Sequence, residues 1–479
     1  MKKKTKSFIL ISICTLVLAL LVHMSLFTKN IITADVLLNN FYYKGYSWEI
    51  SLGRFGLFFI GLLKGYNSIP IIDLIPSFIL LCFINYYLIK LFELDGSINK
   101  ILTILLVIIS PIISVTLVFH YCSIGYLIAL LCGILSTYIF YKSENKIIKY
   151  LIPIVLIVIS LSMYQAYLSL IVTVFVLYNI KLLLNNKFKL KESLKYLLVL
   201  ISGIIIYFIF MKLSLILFHI NMSDYSNADK VGLSLILDIP SKFISSYKLF
   251  FEFIFKDTII KNSYFHTYIY YILLFIIMII SIVIRIIKKK IKLSNIILIT
   301  TLILLLPVFL NSVIFVVNEV KLQLLMSAAY ITIPIFIVSL DYNKICKIIL
   351  VIILGLLLRV YYVQIEASYK SLNNTFNSYK LIINKAIKKS YNHKYMFIGS
   401  IDTTTNINKL NYGYVSDLGI FWDEYNLKKI AFCKYTKYYL NKEVEFVDMD
   451  TYNNLVNNEY NSIINYTDDI VIINFDKLR

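Results

Sequence analysis

The chain of 479 residues has little charge, and this shortage is the most informative property of its composition. Only 15% of the residues are charged, against about a quarter in an ordinary soluble domain, whose surface must be solvated by water. Hydrophobic residues make up 59% of the chain, and the mean hydropathy is +0.79. This much apolar surface can be hidden only in lipid, so the composition excludes an ordinary soluble protein.

Acidic residues are the scarcer of the two charged classes. The chain has 27 Asp and Glu against 47 Lys and Arg, which gives a net charge of +20. A balance of this kind is one mark of nucleic-acid binding. Here, however, the basic residues stand in short runs between apolar segments and leave no large soluble basic face. We therefore predict no nucleic-acid partner.

The six cysteines are also uninformative as ligands, because none stands at a CxxC or Cys/His spacing. Their scatter predicts neither a disulfide framework nor a metal site. The basic N-terminus followed by an apolar run is similar to a signal peptide. That run reaches Leu26 without a small-x-small cleavage site, so we predict an uncleaved first transmembrane helix.

Long apolar runs are abundant, and one membrane crossing takes about 20 apolar residues. Most of the runs have this length, but the run 150–183 is too long for one ordinary crossing and short for two. The other candidate spans are 8–27, 69–91, 100–119, 124–141, 195–218, 268–287, 295–315, 323–340 and 348–364.

The basic loops indicate the topology, because cytoplasmic loops collect Lys and Arg. Basic loops flank both ends of the run 150–183, so this run must cross outward and return, with its tip near residues 163–167. About eleven crossings result, with the N-terminus in the cytoplasm and the C-terminus outside. Every basic loop then lies inside: 2–6, 90–100, 142–149, 181–195, 285–292 and 344–347.

The last part of the chain, from about residue 365, is polar and rich in Asn, Tyr and Asp. Short runs of β type recur at 395–398, 430–433, 444–447 and 470–475, with polar helical stretches between them. Such alternation indicates a small α/β domain. The predicted fold is therefore a polytopic α-helical membrane domain, residues 1–364, followed by an extracytoplasmic α/β domain, residues 365–479.

The first predicted outer loop, residues 28–68, contains two candidates for chemistry. Asp35 follows the first span, where a carboxylate can take a proton from a sugar hydroxyl that attacks an anomeric carbon. The alternative is a solvated interfacial residue or a helix cap. Arg54 can grip a lipid phosphate through two parallel hydrogen bonds, or it can be a snorkelling anchor.

Neighbouring residues in this loop leave similar alternatives open. Glu49 is a second acid at the same predicted depth. The apolar segment 55–63 is too short to span and predicts an in-plane interfacial helix that holds these charges at the headgroups. Trp48, with Tyr42 and Tyr43, either stacks on sugars or belongs to an interfacial aromatic belt.

Polar residues at other span ends have both functional and structural interpretations. Tyr164 and Gln165, at the tip of the run 150–183, bind substrate or satisfy backbone groups at a helix break. Asp73 lies between two prolines near the start of the second span, where an acid is a functional candidate or the cap of a broken helix. His120, at the outer end of the third span, is better explained as interfacial than as catalytic.

Several short motifs occur together. They are the acid Asp35, then Gly45-Tyr46-Ser47-Trp48, then Gly53-Arg54-Phe55, a Tyr164-Gln165 motif, and the ending Ile470-Val471-Ile472-Ile473-Asn474-Phe475. In this arrangement the chain resembles the Gtr family of O-antigen glucosyltransferases, bacterial membrane enzymes with the GT-C architecture. The resemblance covers essentially the whole chain.

The resemblance implies a bacterial inner-membrane enzyme that moves a hexose, commonly glucose, from a polyprenyl-phosphate-linked donor. The implied acceptor is a surface polysaccharide or glycolipid on the outer face of the membrane, and the mechanism inverts the anomeric centre. Asp35 would be the base. Arg54 and Lys321 would contact the donor phosphate, and the candidates for substrate binding are Trp48, Glu49, Tyr164, Gln165 and Glu319.

The sequence departs from this family pattern at two places. The family often has paired acids after the first span, whereas Asp35 stands alone after Ala34, so no cofactor is predicted, with a divalent metal left open. The family also tends to carry an Arg in its late outer loop. Lys321 would replace it here as a point charge without the bidentate fork.

Two rival functions follow from the same composition. A transporter or flippase of lipid-linked glycans predicts charged residues at the membrane midplane. The span centres are almost free of charge, which favours an enzyme. A polysaccharide polymerase would share the compartment and differ in its donor. No DxD nucleotide motif occurs in a predicted cytoplasmic loop, which suits a lipid-linked donor.

Overall fold

The protein is described here from a computed structural model, and its described residues are mostly helical. They are residues 2–29, 31–39, 41–223, 238–255, 267–316, 324–340, 342–389, 393–399, 425–467 and 469–478.

The helices of the first half cover most of residues 2–217. They are α1 (Lys2–His23), α2 (Ser25–Thr28), α3 (Ala34–Asn39), α4 (Ser47–Ser51), α5 (Gly56–Leu63), α6 (Pro70–Leu91), α7 (Ser97–Ile108), α8 (Pro111–Val118), α9 (His120–Lys142), α10 (Lys146–Met163), α11 (Leu168–Leu184) and α12 (Leu190–Leu217).

The second half adds further helices and most of the strands. The helices are α13 (Ile239–Phe255), α14 (Thr267–Lys289), α15 (Leu293–Leu304), α16 (Leu306–Leu310), α17 (Thr332–Val338), α18 (Lys344–Lys389), α19 (Tyr425–Leu440) and α20 (Met449–Leu455). The strands of the whole chain are β1 (Phe41–Tyr42), β2 (Asn67–Ser68), β3 (Lys394–Ile398), β4 (Ile464–Tyr466) and β5 (Ile470–Asn474).

Eight of the described helices are long and apolar enough to cross a membrane, and the bent pair α7 and α8 makes a ninth if it counts as one span. The pair bends by 45° where Pro111 begins α8. Proline has no N–H to continue the helix, and the Ser110 hydroxyl caps the new one by accepting from Ile112 N at 3.3 Å. These helices confirm the multi-span helical architecture, whereas the number of about eleven stays a prediction.

Two of the predicted spans consist of shorter pieces. The predicted span 295–315 is divided into α15, α16 and a 3₁₀ turn, with Pro307 at the start of α16. In the predicted span 323–340, 3₁₀ turns lead into the seven residues of α17. Helices of this length are too short to cross the hydrocarbon by themselves, since a crossing takes about 20 residues.

The predicted division of the run 150–183 into two helices is confirmed. Helix α10 ends at Met163, Tyr164 is extended with φ −159° and ψ 106°, and α11 starts after the 3₁₀ turn Gln165–Tyr167. The chain therefore turns at the position that the flanking basic loops predict.

By its contacts the chain forms two compact units. Unit 1 is Met1–His23, Tyr42–Ile259 and Tyr264–Tyr362, and unit 2 is Met24–Phe41, Ile260–Ser263 and Val363–Arg479. The segment that carries Asp35 thus groups with the C-terminal region, although the sequence places it in the domain 1–364.

Unit 1 is a helical bundle in which α9 packs against α6, α10 and α11. The basic turns of four helix connections lie together at one end of this bundle, where α6, α9, α11 and α14 end. Their contacts are Lys142 with Glu93 and Lys149 with Glu192, both at 2.5 Å, Lys181 with the carbonyl of Phe92, and Arg285 with the carbonyl of Leu184 at 3.2 Å. The starts of α6, α9 and α11 mark the opposite end.

Unit 2 contains a three-stranded sheet in the order β3-β5-β4, with β3 parallel and β4 antiparallel to β5. Strands β3 and β5 match the predicted runs 395–398 and 470–475, whereas β4 was not predicted. The run 444–447 makes only a single bridge, from Phe446 to Tyr395.

The prediction of a strand at 430–433 was wrong, because this run lies inside α19. Phe432, Tyr435 and Thr436 are buried among the residues of α19 whose burial the structure describes. Residues three and four positions apart lie on one face of a helix. In a strand, where alternate residues share a face, Phe432 and Tyr435 would point to opposite sides.

The direction of the chain can be tested with reporter fusions. A phosphatase that folds only outside the cytoplasm is expected to be active when fused after Arg479 and inactive when fused after Asn186, between α11 and α12. The reason is that Asn186 belongs to the basic end of the bundle, which the positive-inside rule predicts to lie in the cytoplasm. Phosphatase activity, divided by the amount of fusion protein, is the measurement. The reverse pattern of activity would show that the topology is inverted.

Candidate functional site

The turn between α4 and α5 carries Arg54 and is held in one conformation. Gly53 has φ +79°, a left-handed backbone that favours glycine. A Cβ at this position would lie 2.7 Å from the Tyr207 hydroxyl and 2.8 Å from Gln165 Nε2. The backbone N–H of Arg54 donates to the carbonyl of Glu49 at 2.7 Å. The backbone of the Gly-Arg motif therefore passes close to Tyr207 of α12 and to Gln165 of the 3₁₀ turn before α11.

Gln165 fixes this turn from the break between α10 and α11. Its Nε2 donates to the carbonyl of Leu52 and to the Tyr207 hydroxyl, the latter at 2.9 Å. The Tyr207 hydroxyl in turn donates to the carbonyl of Gly53 at 3.1 Å. Both amide hydrogens of Gln165 are thus used inside the protein, which makes it a positioning residue for the turn. Its predicted contact with substrate stays a prediction.

The Arg54 guanidinium lies over the ring of Tyr164, with 4.7 Å from its Cζ to the ring centroid. The Tyr164 ring lies 4.6 Å from that of Tyr126. Arg54 Nε is buried without a hydrogen-bond partner, and among the described residues no carboxylate comes within 4 Å of the guanidinium. The structure therefore holds a cation in place by aromatic contact and leaves part of its hydrogen-bonding capacity unused.

Glu49 is the acid nearest this cation along the chain. Burial raises the pKa of the Glu49 carboxyl, and the neighbouring Tyr43 hydroxyl and Arg54 offset only part of this effect. Burial likewise raises the pKa of Tyr43 well above its ordinary value. Glu49 thus offsets part of the charge of Arg54 but, among the described contacts, forms no direct ion pair with it.

A second buried cluster joins the outer loop to the starts of α6 and α9. Asp73 is fully buried, with one carboxylate oxygen 2.5 Å from Lys64 Nζ and the other 3.0 Å from His120 Nδ1. The Ser68 hydroxyl donates to the same carboxylate at 3.3 Å, and Lys64 also donates to the carbonyl of Tyr121 at 2.8 Å. These bonds tie the loop after α5 to two helices.

Sequence reasoning identified Asp73 and His120 but missed Lys64. A buried acid at membrane depth requires a cation, because an isolated charge in low dielectric is costly. The nearest basic residue before Asp73 is Lys64, nine positions away, and this proximity was the available signal. Asp73 is therefore more than a helix cap, and His120 is buried beside it. The predicted interfacial depth of His120 stays a prediction.

Asp35 lies in unit 2, in the first turn of α3. The Thr33 hydroxyl accepts from Val36 N at 3.2 Å and starts the helix, which packs against α19. Lys434 of α19 donates to the carbonyl of Leu38. Burial raises the pKa of the Asp35 carboxyl to about 6, and the carboxylate has no hydrogen-bond partner within the described ranges. A carboxylate with these properties is suited to accept a proton near neutral pH.

Other predicted site residues contribute less. Trp48 is more than half exposed, and its predicted contact with a sugar stays a prediction. Glu319 and Lys321 lie outside the described residues, and their roles stay predictions. Within the ranges that the structure describes, no three side chains of His, Cys, Asp or Glu gather as metal ligands would. Whether the protein needs a metal stays a prediction as well.

The described part of the chain is thus a polytopic helical protein with buried polar clusters at helix ends. A family model described as "Glucosyl transferase GtrII" matches residues 25–340, more than half of the chain. The chain belongs to this family, which confirms the resemblance drawn from the motifs, and it is accordingly a membrane glycosyltransferase. No curated protein and no solved structure matches it.

The buried cluster allows a test of stability. Asp73→Ala is expected to lower the free energy of unfolding by ~3–5 kcal/mol, because it leaves Lys64 and His120 buried without their carboxylate. The matched control is Glu93→Ala, which removes the acid of the exposed pair with Lys142 and should cost less than ~1 kcal/mol. Denaturant unfolding of the purified protein in detergent is the measurement. Equal losses in the two variants would contradict the importance of the buried cluster.

Proposed function

We propose that this chain transfers a hexose, by its family glucose, from a polyprenyl-phosphate-linked donor to a cell-surface polysaccharide. The reaction takes place on the outer face of a bacterial inner membrane and inverts the anomeric centre. The C–O bond between the sugar and the phosphate breaks, and a bond from the acceptor hydroxyl oxygen to the same carbon forms. The proton of that hydroxyl goes to a carboxylate, and the leaving group is the polyprenyl phosphate.

The state of Arg54 is the observation that carries this proposal. Its guanidinium is fixed over Tyr164, has a buried Nε without a partner, and forms no direct ion pair within the described residues. A phosphate gains negative charge as it leaves, and a cation already held in position stabilises that charge without reorganisation. Arginine suits this task because its planar fork matches two phosphate oxygens. Lys321 would be a second contact with the phosphate.

Asp35 is the base in this proposal. Burial raises its pKa to about 6, so the carboxylate is ionised at neutral pH yet basic enough to share a proton with an attacking hydroxyl. Trp48, Glu49 and Tyr164 are the proposed substrate contacts, with Glu319 beside Lys321.

The distribution of charge supports transfer at the outer surface over transport. In most of the described spans, charged residues stand towards the helix ends, as with Asp73 and Lys90 in α6 or Lys181 in α11. A transporter would place them at midplane. The basic turns gather at the end of unit 1 that lies opposite to Arg54, and the positive-inside rule assigns that end to the cytoplasm.

Asp35→Asn tests the base. The variant is expected to abolish transfer, because an amide cannot accept the proton, while the protein still inserts in the membrane. Cells that lack the protein would receive the natural chain or the variant, and their surface polysaccharide would be compared by mass spectrometry. Restoration of the hexose by both chains would exclude Asp35 as the base. Loss of polymer export without a change in any side-chain sugar would instead indicate a flippase or polymerase.

The stability of this variant serves as its control. The pKa of Asp35 rises from 3.8 in the unfolded chain to about 6 in the folded protein, so ionisation of this carboxyl lowers the stability of the fold. The loss of stability begins near pH 3.8 and is complete above pH 6. A neutral Asn removes this cost, and the variant should unfold at pH 7.5 no more readily than the natural chain.

The pH dependence of transfer follows from the same carboxyl. The rate is expected to be constant above pH 7 and to fall about tenfold per unit below pH 6, because only the ionised form accepts a proton. Initial rates in membranes supplied with polyprenyl-phosphate glucose, from pH 4.5 to 8, are the measurement. A fall in rate that begins only near pH 4 in the natural chain would assign the acid limb to another group. So would an acid limb that is unchanged in Asp35→Glu.

Arg54→Met tests the phosphate contact. Removal of one pre-positioned group that stabilises developing charge is expected to lower kcat/KM about 100- to 1,000-fold, and Arg54→Lys should recover only part of this. The matched control is Lys44→Met, which removes an exposed cation of the same loop. If Arg54→Met and Lys44→Met behave alike, Arg54 is only an anchor.

A further inference from the structure

The long helix α18 changes character at Gln364, where its apolar part ends. Beyond this point Gln364, Ser368, Ser371 and Thr375 follow one another at intervals of four, three and four residues. This spacing places them on one face of the helix, and the first three extend over about 10 Å of its length. We refer to Gln364, Ser368 and Ser371 as the polar stripe.

The polar stripe is buried and unsatisfied. Each of its three residues is only 3% exposed. Among the residues that the structure describes, Gln364 Nε2, Gln364 Oε1 and the hydroxyls of Ser368 and Ser371 have no hydrogen-bond partner. The next residue on the same face behaves differently, since the Thr375 hydroxyl donates to the carbonyl of Ser371 at 2.9 Å. Thr375 is therefore satisfied within the helix, whereas the three residues of the stripe are not.

Folding alone does not explain these side chains. Buried polar groups in native proteins are nearly always hydrogen-bonded, and each unpartnered one lowers the stability of the fold. Serine in a helix usually bonds to the carbonyl four residues earlier, as Ser378 does with Asn374 at 2.9 Å. Four unpartnered polar atoms on one short face thus indicate groups that bond to something other than the protein.

The chemistry of the stripe specifies the kind of ligand. An amide and two hydroxyls supply both donors and acceptors but no charge. A phosphate or a metal ion would require a charged side chain on this face. The nearby Glu366 is not on it: Glu366 is two positions from Gln364, lies on another side of the helix, and interacts with Ser25 at 3.4 Å and Lys29 at 3.7 Å. A neutral polyhydroxylated ligand fits these groups.

We propose that the polar stripe of α18 is a saccharide-binding subsite of the transferase, which rests on the proposed function. It lies outside the range 25–340 that matches the family. It belongs to the same compact unit as Asp35. The segment that carries Asp35 is also tied to α18 within that unit, since the Ser25 hydroxyl donates to Glu366. The sugar is either the hexose of the donor or a residue of the acceptor.

The variants Gln364→Leu and Ser371→Ala test the subsite in the full-length protein. The matched control is Ser378→Ala, on the same helix, whose hydroxyl bonds to the protein. The stripe variants are expected to lower transfer at least tenfold while their unfolding temperature stays the same or rises, because an unsatisfied buried group is removed. Ser378→Ala should transfer like the natural chain.

Two measurements then distinguish the two sources of the sugar. Binding of radiolabelled polyprenyl-phosphate glucose to the purified protein reports the donor. The KM for polysaccharide isolated from cells that lack the protein reports the acceptor. A weaker donor affinity or a raised acceptor KM in the stripe variants supports the subsite and names its sugar.

The proposal is overturned if the stripe variants transfer at the natural rate. It is also overturned if their unfolding temperature falls together with activity, since the groups would then serve packing. Failure of the proposed function itself gives a different result, because the natural chain would show no transfer from the labelled donor in the same assay.

Discussion

The absence of water in the hydrocarbon is the constraint on which the rest of this structure depends. Backbone N–H and C=O groups must be bonded within the protein there, which makes helices the solution over eight long apolar segments. Charged side chains are costly at the same depth. Many of them therefore stand towards the helix ends of unit 1, with the basic turns at one end and Arg54, Lys64 and Asp73 at the other.

The proposed chemistry depends on the interruption of the helices at that second end. The extended residue Tyr164 lets the chain turn between α10 and α11, presents a ring to Arg54 and frees Gln165 to hold the neighbouring turn. A continuous helix would have placed Gln165 on its own surface instead. The broken backbone and the Arg54 cation are consequently parts of one arrangement, in which Gly53 supplies a close approach that a side chain would prevent.

The buried polar groups of the protein fall into two kinds with different consequences. Asp73, Lys64 and His120 satisfy one another and fasten the outer loop to α6 and α9. Arg54 Nε and the amide of Gln364 have no hydrogen-bond partner within the described part of the chain. Groups of the first kind stabilise the fold, whereas groups of the second kind lower its stability and are the ones that we propose a ligand completes.

The sequence by itself determined the membrane class, the division of the run 150–183, the strands β3 and β5 and the family, because hydropathy, charge and short motifs are local properties of the chain. Tertiary structure alone decided that residues 430–433 are helical, that Lys64 is the partner of Asp73 and that Gln165 holds the turn of Arg54. It also grouped Asp35 with the C-terminal region. Each of these depends on which distant residues share a buried environment, and the pairing of groups across such distances leaves no periodic pattern in the sequence.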